Sequence, residues 1–163
     1  MGDPRRLKKK FKKPKHPYQK DRILEELEFI GKYGLRNKRE FWKMRSMLGR
    51  WRELARQSRT LPAERAKQVQ QVLIQKLIRL GILGTDSTFE DVLQLTVEDV
   101  LRRRLQTLVF EHGLAKSMYH SRQLIVHKHI QVGDKRIDSP SHLVRKEEEE
   151  KITFAPTSPF ANA

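Results

Sequence analysis

The chain has 163 residues, of which 37% are apolar and 34% charged; 35 Lys or Arg against 20 Asp or Glu give a net charge of +15. That length holds one or two small domains, and a surface this basic repels itself unless an anionic partner neutralises it, nucleic acid ahead of an anionic membrane. No run reaches the roughly 18 apolar residues of a bilayer-spanning helix. No signal-peptide core opens the chain, and without Cys a disulfide framework and a thiolate zinc knot are excluded, so cytoplasmic residence is the default.

Residues 1–20 form a basic arm. Arg5, Arg6, Lys8, Lys9, Lys10, Lys12, Lys13, Lys15 and Lys20 stand against one acid, Asp3. Pro4, Pro14 and Pro17 interrupt any helix, and Leu7, Phe11 and Tyr18 are too few for a core. On a phosphate backbone, counterion release can offset the cost of ordering such a segment. A solubilising tail is the plainer alternative, but the charge density exceeds what solubility requires.

Residues 21–101 read as a helical body. Ile23, Leu27 and Ile30, with Leu24 beside them, recur at helical spacing, and Gly31 and Gly34 supply an end. Asn37 is a cap for a helix to about Gln57, with Glu40 placed to complete a capping box. Phe41, Met44, Leu48, Trp51 and Ala55 make its buried stripe. Trp42 lies off the stripe, with a neighbouring groove or a stacked base as its destinations. Arg45, Arg50, Arg52 and Arg56 outnumber the acids on the same segment and predict a phosphate-facing side. Pro62 in a first turn opens a helix with Val69, Leu73, Leu77 and Leu80 inward. Thr88 with Asp91 and Thr96 with Asp99 place a hydroxyl three residues before an acid and predict two more helix starts. The second runs without an obvious break into Arg102-Arg103-Arg104.

Residues 102–155 read as two short helices on a small sheet. Leu105, Leu108 and Val109 face inward and Gly113 ends the first helix. Ser117 caps the second, with Leu124 and Ile125 buried and Tyr119 or Met118 nearby. Gly133-Asp134 centres a hairpin whose Ile130 and Val132 share a face, and Ile152 and Phe154 return as a strand. The acidic block, residues 147–150, is expected as a loop away from any anion. The tail, residues 156–163, is expected to be extended. His120, His127 and His129 lack the i, i+4 spacing and acidic partners of a metal site, and hydrogen bonding to phosphate suits them better.

The pattern Arg104-Leu105-x-x-Leu108, His112-Gly113-Leu114-Ala115, Ser121-Arg122-Gln123-Leu124-Ile125-x-His127-x-His129-Ile130-x-Val132 and Ser139-Pro140 resembles the RNA-binding domain named after ribosomal protein S-four. Through Leu95-Thr96-Val97-Glu98-Asp99 and the upstream body, the resemblance extends to the small-subunit ribosomal S-four family of archaeal/eukaryotic type. It implies an α+β protein with a mainly helical N-terminal body and a small helix-loop-helix and antiparallel-strand RNA-binding domain. It also implies binding of small-subunit ribosomal RNA at a multi-helix junction, a role in subunit assembly, neighbouring ribosomal proteins, and proximity to incoming messenger RNA. No homo-oligomer, membrane partner, cofactor or metal is expected. Carried onto this chain, the family's RNA surface falls on Arg103, Arg104, Lys116, Ser117, His120, Arg122, Gln123, His127, Lys128 and His129. Gly133-Asp134 stands where Asn-Gly is common, and the cysteine metal knot of some bacterial members has no counterpart. An RNA-modifying enzyme would need a G-x-G-x-x-G, a P-loop or a metal cluster that the body lacks; a DNA regulator would need dimeric half-site recognition.

Overall fold

The computed structural model describes residues 9–161, so Arg5, Arg6 and Lys8 of the arm lie outside the described residues. The elements are α1 (Lys20–Lys32), α2 (Lys38–Ser58), α3 (Ala63–Arg79), α4 (Asp91–Gln94), α5 (Val97–Arg102), α6 (Leu105–Glu111) and α7 (Met118–Val126). They are followed by β1 (Ile130–Val132), β2 (Lys135–Arg136), α8 (Lys146–Glu149) and β3 (Ile152–Phe154). The mainly helical α+β architecture anticipated from the pattern is the one observed.

Asn37 caps α2 by accepting the Glu40 backbone N–H at 3.2 Å, and Phe41, Met44, Leu48, Trp51 and Ala55 are all buried. They meet Leu73 and Leu77 of α3, Val92 and Leu95 around α4, and Val100 and Leu101 of α5 in one apolar cluster. The expected capping box at Glu40 does not close, because that side chain is drawn away from its own helix. At Thr96 the box is complete: the Thr96 hydroxyl accepts the Asp99 N–H, and Asp99 accepts the Thr96 N–H at 2.8 Å. Pro62 serves as the N-cap of α3 instead of sitting in its first turn.

Two helical expectations need correction. On α1, Leu24 and Leu27 are exposed and the buried residue is Glu26. Its carboxylate is held by the Arg22 guanidinium, the Trp42 indole N–H at 2.9 Å and the Lys38 ammonium at 3.5 Å, so a paired charge takes the inward position that periodicity gave to leucine. The α5 helix does not continue through Arg104. Val144 donates its N–H to the Arg103 carbonyl, and Arg104 bridges to Leu143. These backbone bonds to a segment some forty residues away interrupt the helix.

A second apolar cluster gathers Leu105, Leu108 and Val109 of α6, Leu124 and Ile125 of α7, and Ile130, Val132, Val144 and Ile152. The sheet has the order β2-β1-β3 and is antiparallel throughout, with Val132 opposite Lys135 and Ile152. No side chain caps α6. The carbonyls of His142 and Pro140 accept the first-turn N–H groups of Leu105 and Gln106, satisfying donors that a helix start leaves unpaired. The acidic block is a helical turn, α8, in which Glu148 accepts the Arg145 N–H and Glu149 pairs with Arg103 at 2.8 Å. The tail is folded back, not extended: Ala155 donates to the His129 carbonyl, and Ala155 and Ser158 are buried.

The ends of α1, α3, α6 and α7 share one termination, in which a residue with positive φ lets two N–H groups return to the last turn. Gly34, Gly81 and Gly113 fill the position in three of them. At Gly34 (φ 55°) an added Cβ would also lie 2.9 Å from the Gln106 amide nitrogen and from the Met118 Cβ. Gly34→Ala is expected to lower unfolding stability by about 2–4 kcal/mol through left-handed strain and overpacking. Urea denaturation checks this; an unchanged midpoint contradicts the close approach.

Candidate nucleic-acid interface

The solvent face of α2 carries Trp42, Arg45, Ser46, Gly49, Arg50, Glu53 and Arg56 at intervals of three and four. Residues 11–19 of the arm lie along it. Lys12 donates its backbone N–H to the Ser46 hydroxyl at 2.9 Å, and Phe11 packs on Trp42 with ring centroids 6.1 Å apart. Arg22 fixes the end of the arm by donating to the carbonyls of His16 and Pro17 while paired with buried Glu26. Between arm and helix is an open cleft of about 670 Å³ whose lining includes Lys12, Lys13, Lys15, Arg45, Arg50 and Arg56. Glu53 is the one carboxylate in the lining near α2, and it is neutralised by Arg56 at 2.8 Å.

A second basic face is built on α7. Ser117 caps the helix by accepting the His120 N–H at 3.1 Å, which presents Lys116 at one end. At the other end Lys128 has a φ of 62° and occupies the termination position filled by glycine in the other three helices. The two returning bonds are Lys128 N–H to the Ile125 carbonyl (3.0 Å) and His129 N–H to the Leu124 carbonyl (2.9 Å). A lysine here carries left-handed strain of about 1 kcal/mol, so the chain keeps a cation at a position where glycine is the relaxed choice.

A polar hub joins the two faces. Glu40 at the N-terminal turn of α2 accepts from Arg104 at 2.8 Å and from Arg122 of α7 at 2.6 and 3.2 Å. Arg122 also donates to the Gln106 carbonyl oxygen at 3.3 Å, and the Gln106 amide donates to the carbonyls of Gly34 and Met118 at 2.9 Å each. Burial alone would raise Glu40, but the Arg122 hydrogen bond and the charges of Arg104 and Arg122 outweigh it and hold the carboxyl below its usual value. Burial pushes the Arg104 guanidinium down, with Glu40 opposing.

Two family models match consecutive parts of the chain: "Ribosomal protein S4/S9 N-terminal domain" over residues 5–102 and "S4 domain" over residues 103–150. The small ribosomal subunit protein uS4 of Ignicoccus hospitalis is 50% identical over 160 residues, covering 98% of this chain and 96% of its own length. Those of Hyperthermus butylicus and Methanothermobacter thermautotrophicus are 48% and 46% identical, covering 99% and 98% of this chain and 92% and 94% of their own lengths. The chain belongs to the small ribosomal subunit protein uS4 family.

In this uS4 family member the basic residues singled out from the sequence fall into two groups. Lys9, Lys10, Lys12, Lys13, Arg45, Arg50 and Arg56 of the arm and α2 reach solvent, as do Lys116, Ser117, Gln123, His127 and Lys128 on and beside α7. His120 and His129 are partly covered. The other group is turned into the protein. Arg104 is fully buried against Glu40, Arg122 is bidentate to the same carboxylate, Arg103 pairs with Glu149, and Arg52 donates to the Leu95 carbonyl. These corrections share one cause: a guanidinium offers five donors in a planar fork, so arginine serves inside a fold wherever a carboxylate or carbonyl stands opposite. Of the two residues the sequence left open beside the buried face of α7, Met118 packs inward against the first apolar cluster and Tyr119 is 61% exposed.

Glu40→Gln is expected to lower stability by about 3 kcal/mol at neutral pH, because Arg104 stays buried without a counter-charge. The folded-state pKa of Glu40 lies below its unfolded value, so this contribution is complete above the ordinary value of 4.5 and is lost as pH falls through the depressed one. Thermal unfolding of wild type and Glu40→Gln across acid pH should therefore converge below that value. A constant gap down to strongly acid pH contradicts the assignment.

Proposed function

We propose that this chain is a structural constituent of the small ribosomal subunit that binds small-subunit ribosomal RNA, stabilises a multi-helix junction in it and supports subunit assembly. The observation that carries the reading is the arm–α2 cleft, where seven Lys and Arg residues line one open channel beside a neutralised carboxylate. Such a channel suits a polyanion backbone, whose contacts position the RNA without reading bases. The α7 face supplies a second set of cations and polar side chains, and folded RNA recognised by shape can be held between the two. Catalysis has no part in the reading, which describes a stabilised RNA conformation as the product.

Within it, the arm (residues 1–20) neutralises phosphates and the helical body (21–101) carries the cleft. The RNA-binding domain (102–155) orients the RNA, and the tail (156–163) folds back on that domain through residues 156–161. The protein works in the cytoplasm within the subunit, beside other small-subunit proteins and near the path by which messenger RNA enters. Family membership along the whole chain supports the ribosomal setting; the basic faces support the RNA contacts.

Filter binding at physiological salt should show a marked preference for structured small-subunit ribosomal RNA over random duplex of equal length. Equal affinity would contradict the reading. Lys128→Gly separates function from folding: relief of left-handed strain, largely offset by added unfolded-state entropy, should leave stability unchanged or raised by up to about 0.5 kcal/mol. The same change should weaken RNA binding and reduce the salt slope by about one counterion. Unchanged affinity and slope would remove Lys128 from the contact. Arg122 is unsuited to that test, since its reversal to Glu would set two carboxylates face to face at Glu40.

A further inference from the structure

The folded-back tail places an aromatic ring on the α7 surface. Ser158 is buried and acts as the pivot: its hydroxyl oxygen accepts the Phe160 N–H at 3.2 Å and lies 3.1 Å from the His129 Nδ1. Together with the Ala155 N–H bond to the His129 carbonyl, this bends the chain back onto the residues after α7. Phe160 then stands between the two ends of α7. Its ring stands perpendicular to His129 (5.3 Å between centroids, 89°) and to His120 (6.5 Å, 83°), and it leans on Phe154 at 6.2 Å. Despite these neighbours, 40% of Phe160 remains exposed.

A ring recruited only to seal the second apolar cluster has no need of a polar pivot that holds it at the surface. Two of the three rings beside Phe160 are imidazoles, which carry hydrogen-bonding nitrogens. His120 Nδ1 accepts the Lys116 N–H at 3.2 Å, so in the neutral ring the proton resides on Nε2 as a free donor. The His129 Nδ1 is occupied by Ser158, which leaves its Nε2 available. Lys116 and Lys128, at the two ends of α7, are exposed cations. A part-exposed aromatic ring, imidazole nitrogens beside it and flanking cations match one ligand chemistry: a nucleobase out of its stack, with its own phosphates neutralised alongside.

We infer that Phe160, held by the Ser158 pivot between His120 and His129, is a stacking platform for an unpaired base of single-stranded RNA. This deepens the RNA-binding reading and rests on it. Every base has a π-face and an edge acceptor, so the platform tolerates sequence and recognises the strand as unpaired.

The test uses the full chain and two oligomers of about eight nucleotides, a length in the usual single-strand site range: oligoadenylate, and an abasic oligomer with the same phosphates. Fluorescence anisotropy at fixed salt should give about tenfold tighter binding of oligoadenylate by the wild type. Phe160→Ala and the apolar, non-aromatic Phe160→Leu should both erase that preference without changing the salt slope, while Phe160→Trp keeps it. Thermal unfolding confirms that each variant is folded. Equal binding of the two oligomers by the wild type overturns the inference, as does a preference retained in a folded Phe160→Leu. If structured small-subunit RNA binds while neither oligomer does, the platform fails and the RNA-binding reading stands. If none of the three binds, both fail. An acidic peptide that binds in place of oligoadenylate and loses affinity with Phe160→Leu also overturns the base assignment.

Discussion

The Glu40 carboxylate receives two guanidinium groups from different parts of the fold, Arg104 at the start of α6 and Arg122 in α7. Its own backbone is anchored by the Asn37 cap on α2, so the acid sits where the positive end of the helix favours negative charge. One side chain thereby ties the helical body to the C-terminal half. The surrounding contacts depend on that approach: Gln106 can reach the Gly34 carbonyl only because position 34 has no Cβ, and Met118 and Leu143 can pack on the first cluster only from a docked C-terminal half. Arg103 adds a second tie, lying across Gly81 on its way to Glu149. A pair of this kind is costly to bury and costlier to break, so it favours one arrangement over many.

The same economy governs the basic charge. A net charge of +15 suggests that all the arginines face outward, yet Arg22, Arg52, Arg103, Arg104 and Arg122 hold the fold together. Lysines and the remaining arginines of α2 supply the exposed cations. Buried Glu26 plays for the arm the part that Glu40 plays for the C-terminal half, since it fixes both Arg22, which holds the arm's carbonyls, and Trp42, on which Phe11 rests. The two basic faces are thus each positioned by an inward-pointing acid.

Local signals were legible in the sequence because their causes are local. The Asn37 cap, the Thr96–Asp99 box, the Ser117 cap, the Phe41-to-Ala55 stripe and the Gly133 turn each involve neighbours within a few residues or a simple period. What escaped was long-range. Glu40 fits a capping box by spacing, but its partners lie 64 and 82 residues away. Arg104 reads as a surface cation until that partner is known. Glu26 occupies the inward face of α1 because Trp42 and Lys38 of the next helix stand opposite. The folded tail hinges on His129, which no pattern within residues 156–163 reveals. Of the candidate interface, the exposed Lys and Arg of the arm and α2 follow from composition alone; the sorting of arginines into inner and outer sets required the tertiary contacts.

Paired acids hold the body and the C-terminal half as one unit, so that both basic faces keep a fixed relation before any RNA arrives. Backbone ¹⁵N relaxation of the free protein measures this directly. One rotational correlation time shared by the amides of α2 and α7 is the predicted result. Separate times, with α7 and the sheet reorienting faster than the helical body, would contradict it.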